Sequence, residues 1–213
     1  MRLAVAIQHH PERADLLPPL LDVLAPAYVA TDPDPDAKKR MPLRSYLAAL
    51  RAIPDDASHL LIVQDDVRVC RNFRAAAELV VTSRPEALVA FFVPGQPPEM
   101  CHAIACAVDR RERIIPLPCR RWVPVVALAW PADLARSFLA YQEAQRWPPS
   151  FGADDEGVGR WSREQGLEIL ATAPSLVQHP DDTPSLVGRR VRGGRCAAVY
   201  IGDEDDPLAL AWD

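Results

Sequence analysis

No apolar stretch in this chain approaches the roughly 20 residues needed to span a bilayer. The nearest, residues 16–24, is interrupted by Pro18, Pro19 and Asp22. The opening segment, Met1-Arg2-Leu3-Ala4-Val5-Ala6-Ile7, is too short for a secretion signal and reads as a first strand, so a cytosolic protein is expected. Positive charge is not in excess: the 213 residues carry a formal net charge of −5, and no global field draws the protein to nucleic acid. The five cysteines are odd in number and show no disulfide-framework spacing, which points to reduced thiols. Cys101, His102, Cys106 and Cys119 sketch a zinc site, but the C-x-x-C knuckle is missing and buried cysteine is common as plain core. There is no internal repeat. The turn Gln8-His9-His10-Pro11 after the first strand has no glycine, where a phosphate-cradling loop would need one.

What remains is the composition of a globular protein, 49% hydrophobic and 25% charged, at a length that one domain accommodates. Its 22 prolines are about twice the usual share and scattered, so they mark loops and strand limits. The pattern predicts strands over residues 2–7, 27–30, 60–63, 87–93, 103–108, 113–117, 123–130 and 169–172. Helices are predicted over 14–24 (limited by Pro18 and Pro19), 45–53, 75–82, 131–146 and 154–166, the last closed by Gly166. Residues 147–152 read as a loop, and the tail from Arg189 is less regular and ends acidic at 202–206. Strand and helix alternate three times in the first half, the order of an α/β fold with a mostly parallel sheet and helices on its faces.

The sharpest motif is Gln64-Asp65-Asp66, between the apolar run Leu60-Leu61-Ile62-Val63 and Val67-Arg68-Val69. Such a run suits a strand buried on both faces, and its end places two acids at the carboxyl edge of a sheet, where ligands of open α/β folds bind. Two like charges so close need a cation, and a divalent metal holding a phosphate supplies one. Arginines cluster at residues 110–113, 120–121 and 189–195, either as solvated surface or as phosphate contacts.

Three features follow in order: the strand ending Gln64-Asp65-Asp66-Val67, the acidic cluster Asp154-Asp155-Glu156 at a helix start, and His179 past the last strand. With the first turn, they resemble the GT-A glycosyltransferases over residues 2–188; Pro174-Ser175-Leu176-Val177-Gln178-His179, followed by Pro184-Ser185-Leu186-Val187-Gly188, is similar to the end of small members. The resemblance implies a Rossmann-like three-layer α/β/α sandwich around a central mostly parallel mixed sheet. It implies one catalytic domain, 1–188, with a nucleotide-binding half to about residue 95, an acceptor-binding half from 96, and an extension over 189–213. Manganese or magnesium would sit on Asp66 and His179 with Asp65 nearby; Gln64 departs from the family's Asp-x-Asp, so Asp66 takes most of the metal's charge. Gln8, His9, Arg13, Asp32, Arg44 and Gln64 would contact a nucleotide sugar, a UDP-sugar being favoured. Asp155 would be the base, or Asp154 if the match slides by one residue, and Trp122 and Trp161 would stack on the acceptor.

The implied activity is transfer of a sugar to a hydroxyl, with inversion if Asp155 is the base. The acceptor is a glycan or a hydroxylated base in phage-type DNA, and DNA would bring a steep salt dependence. Two alternatives stand beside it: a nucleotidyltransferase, disfavoured by the glycine-free first turn, and a non-catalytic nucleotide-binding protein of the same fold.

Overall fold

Four apolar residues in a row, Leu60-Leu61-Ile62-Val63, need cover on both sides of a sheet, and the computed structural model provides it. It describes residues 1–38, 40–117, 122–145, 153–183, 186 and 195–212. In chain order the elements are β1 (Leu3–His9), α1 (Leu17–Leu24), β2 (Tyr28–Thr31), α2 (Pro42–Arg51), β3 (His59–Gln64), β4 (Arg68–Val69), α3 (Phe73–Ser83), β5 (Leu88–Ala90) and α4 (Pro98–Asp109). There follow β6 (Ile114–Pro116), β7 (Ala127–Pro131), α5 (Ala132–Ala144), α6 (Asp154–Glu164), β8 (Ile169–Thr172) and β9 (Val177–Gln178). Seven strands form the main sheet in the order β2-β1-β3-β7-β5-β8-β6. Strands β1, β2, β3, β5 and β8 share one direction; β6 and β7 run against them, so the sheet is mixed and mostly parallel.

Alternation along β3 divides the core. Leu60 and Ile62 join Tyr46, Phe138 and Trp161 on one face, beneath α2, α4, α5 and α6. Leu61 and Val63 join Phe73, Val80 and Trp212 on the other, beneath α1, α3 and the C-terminal segment. Each such side chain taken fully from water is worth about 1.5–3 kcal/mol, which makes the register of β3 costly to shift. Residues 196–201 run beside 93–95 and 175, through hydrogen bonds from Gly95 N–H to Cys196 O (2.9 Å), Ala198 N–H to Val93 O (2.8 Å) and Ser175 N–H to Val199 O (2.9 Å). No helix among the described residues is long and apolar enough to cross a membrane.

Several expectations need correction. Residues 103–108, predicted as a strand, lie in α4: Pro98 sits in its first turn, and Met100, Ile104 and Ala107 bury one helical face. A short apolar run does not distinguish a strand from a buried helical stripe. The first helix is shorter than 14–24, because residues 11–16 form a 3-10 turn and α1 begins with Pro18 and Pro19 in its first turn, where a missing N–H costs little. At the end of α6, Gly166 does close the helix: it adopts φ +66°, with Gly166 N–H on Arg163 O (3.1 Å) and Leu167 N–H on Ser162 O (2.9 Å).

Trp161 is core, not an acceptor platform. It is 1% exposed and packs on Trp130 (5.7 Å between ring centroids) and Phe138 (5.3 Å). Trp161→Ala is therefore expected to lose about 3–5 kcal/mol of stability in urea denaturation; an unchanged midpoint would place that side chain outside the core.

Candidate functional site

The backbone at the end of β3 is held on both sides: Asp65 N–H donates to Gln8 O (3.0 Å) and Gln64 N–H to Val126 O (2.9 Å). The two acids that follow are thus fixed at the carboxyl edge, Asp65 2% and Asp66 4% exposed. Asp65 is fully engaged. Its Oδ2 meets His9 Nδ1 (2.9 Å) and the His10 N–H (2.8 Å), and its Oδ1 accepts from Arg13 Nη1 (2.9 Å).

Asp66 is engaged on one oxygen only. Arg13 Nη2 (2.8 Å), Arg195 Nη2 (3.1 Å) and His179 Nε2 (3.1 Å) all lie on Oδ2. Its Oδ1 is buried with no hydrogen-bond partner among the described residues. Burial pushes this carboxyl up, but its contacts with His179, Arg13 and Arg195 outweigh that and hold it below the ordinary carboxylate value. His179 arrives from far along the chain through the antiparallel pair β4–β9, in which Arg68 faces Gln178 and Val69 faces Val177. Phe92 packs on its ring, with centroids 6.4 Å apart.

A divalent cation at this edge would have to be held by these two residues. His179 Nδ1 faces Pro180 O (3.3 Å), so Nε2 is the ring nitrogen turned toward Asp66. The 3.1 Å from Nε2 to Oδ2 is close to the edge of an octahedron with ligands at about 2.1 Å. No group of three or more His, Cys, Asp or Glu among the described residues is arranged for a metal. Two protein ligands, with phosphate oxygens and water for the rest, match the habits of magnesium-type sites.

Asp154 is buried and ties the halves of the sheet edge together. Gln8 Nε2 donates to its Oδ2 (3.1 Å), Gln64 Nε2 approaches the same oxygen (3.5 Å), and the Asp155 N–H donates to Oδ1 (3.0 Å). Burial first, then the charge of Asp155, raises its carboxyl to about 6, against the hydrogen bonds that lower it. Asp155, next along, is only partly buried; its carbonyl accepts from Val123 N–H (3.1 Å), which places the half-buried Trp122 beside the start of α6.

The other expected donor contacts divide. His9 and Arg13 are in the site, where they orient the acid pair. Gln8 and Gln64 spend their amides on Asp154 and each other (Gln64 Nε2 to Gln8 Oε1, 3.3 Å). Asp32 and Arg44 form a bidentate pair, Nε to Oδ1 and Nη2 to Oδ2, both 3.0 Å. Two residues of the site had no assigned place in it: Arg40, which clasps His10 and Glu12, and Arg195, which contacts His179 and Asp66. Arg195 belongs to the basic run of the tail, but no local pattern ties that run to Asp66. Cys101, His102 and Cys106 lie on α4, with His102 Nε2 3.5 Å from Cys106 Sγ. Cys119, Arg120, Arg121, residues 147–152 and residues 187–194 lie outside the described residues. A groove of about 990 Å³ at the opposite edge, lined by Met1, Tyr28 and Leu79, contains none of these groups. Compared with known proteins, the chain matches no protein-family model and no curated sequence.

The raised carboxyl of Asp154 sets a pH dependence. An acid whose folded value lies above its unfolded one adds stability at low pH and loses it as pH rises, here between 3.8 and about 6. Wild type is expected to lose roughly 3 kcal/mol relative to Asp154→Asn across that window, read by urea denaturation at each pH. A gap that does not change with pH would contradict the burial argument.

Proposed function

We propose that this chain is a metal-dependent glycosyltransferase of the GT-A type, moving a sugar from a nucleotide-sugar donor to a hydroxyl. One observation carries the reading: Asp66 and His179, brought together at the carboxyl edge of β3, face each other at 3.1 Å while the second oxygen of Asp66 is buried and without a partner among the described residues. The mostly parallel mixed sheet and the acidic helix start of α6 beside that edge support it.

A divalent ion on Asp66 and His179 would neutralise the negative charge that develops on the departing diphosphate. Asp65 holds Arg13 and His9 in place for that edge, and Arg13 adds fixed positive charge toward the phosphates. Asp155 takes the proton of the acceptor hydroxyl as its oxygen bonds to the anomeric carbon. The bond from that carbon to the diphosphate breaks, and its electron pair leaves with the nucleoside diphosphate. Asp154, buried under Gln8 and Gln64, positions Asp155 rather than meeting substrate. A single displacement of this kind inverts the anomeric centre. Trp122 flanks the acceptor side, and the acceptor is a glycan or a hydroxylated base in DNA; only the DNA reaction would fall steeply with salt.

A second reading, a non-catalytic nucleotide binder, is favoured by the way Arg13, His9, His179 and Arg195 already saturate three of the four carboxylate oxygens of Asp65 and Asp66. Two experiments separate them. In a thermal-shift panel of nucleotide sugars, one uridine-type donor should stabilise the protein only with manganese, and Asp66→Ala should abolish the effect. No shift with any donor in folded protein would sink the transferase proposal. Asp155→Asn should cut turnover about a hundredfold to ten-thousandfold while keeping the donor-induced shift. Undiminished turnover would remove Asp155 from the chemistry.

A further inference from the structure

We infer that Arg195 and a divalent cation compete for one place between Asp66 and His179, the guanidinium standing in for the metal until a nucleoside diphosphate arrives. This rests on the metal-dependent reading above. With Nδ1 of His179 against Pro180 O, Nε2 is the ring nitrogen that faces Asp66. Arg195 Nη2 contacts that nitrogen and donates to Asp66 Oδ2 at 3.1 Å. The guanidinium thus fills the space between Nε2 and Oδ2, so His179 does not ligate a metal there while Arg195 remains. Arg13, at 2.8 Å, stays with Asp66 in either case.

The main chain around Arg195 does not have to move. Cys196 O accepts from Gly95 N–H (2.9 Å), and Ala197 N–H donates to Gln178 Oε1 (2.8 Å), so the backbone is tied to two elements of the body. Only the side chain, 23% exposed, has to swing. Its other terminal nitrogen, Nη1, donates to Thr183 O (2.9 Å), a neutral acceptor. A guanidinium that gives up a buried carboxylate needs a new anion, and a diphosphate at this edge offers planar, bidentate oxygens suited to it. Metal alone therefore binds weakly, because it must expel a bound cation and leave it unpaired. Metal with nucleoside diphosphate binds together, because the diphosphate takes the displaced arginine.

The test is Mn²⁺ titration followed by the EPR signal of the free ion, on the full chain without nucleotide and with UDP. Without nucleotide, Arg195→Gln is expected to bind Mn²⁺ at least about tenfold more tightly than wild type. Arg195→Lys, which keeps a cation, should remain near wild type, and His179→Gln placed on Arg195→Gln should cancel the gain. If wild type binds Mn²⁺ with UDP but Arg195→Gln binds the ion alone no more tightly than wild type, the competition is overturned and the transferase proposal stands. If no form binds Mn²⁺ with or without UDP, both are overturned. Should Arg195→Gln fail to fold, wild type gives the answer: its Arg195 Nε–Hε NMR signal must move when Mg²⁺ and UDP are added together, and an unmoved signal overturns the inference.

Discussion

Two buried carboxylates on adjacent residues are the constraint from which the rest of this site follows. Each loses several kcal/mol of hydration, and together they repel, so they persist only where cations and donors converge on them. The fold supplies these from three places in the chain. His9 ends β1 and Arg13 lies in the turn after it, His179 follows β9, and Arg195 comes from the C-terminal segment. Removing any one of them leaves an acid underpaired in a dry setting, which is why the C-terminal residues are part of the architecture of this edge.

The sheet makes that convergence possible. Because β1 and β3 are parallel neighbours in register, with Gln8 opposite Gln64, their carboxyl ends lie side by side and the turn after β1 closes over Asp65. The small β4–β9 pair folds the chain after β8 back onto the residues just past Asp66. Asp154 then locks the start of α6 to the same edge through Gln8 and Gln64. The charges around Asp65 and Asp66 and the carboxylate of Asp155 are held by one hydrogen-bonded seam, the arrangement that the proposed in-line displacement would need.

Much of this was legible in the sequence. The apolar run at 60–63 and the acids beyond it announce a doubly covered strand and its edge, and only the family resemblance puts His179 with Asp66. The spacing of the acidic helix start put Asp154 and Asp155 together, but only burial separates their roles: one is turned inward under two glutamines, the other is partly open. Asp32 and Arg44 were read as two ligand contacts because each suits a nucleotide; nothing in a linear pattern shows that they satisfy each other. Trp161 misled in the same way, since a tryptophan on a polar helix looks exposed until its partners Trp130 and Phe138 arrive from distant elements. Residues 103–108 failed for lack of periodic contrast, and Arg195 because its partners are distant in sequence.

The central claim is that Asp66 and His179 jointly hold one divalent cation. Pulsed EPR of Mn²⁺ bound in the presence of UDP tests it most directly, because a directly ligated imidazole imprints a nitrogen modulation on the manganese signal. The account predicts that modulation in wild type and its loss in His179→Gln. Bound manganese without a nitrogen coupling, or a coupling that survives in His179→Gln, would contradict it.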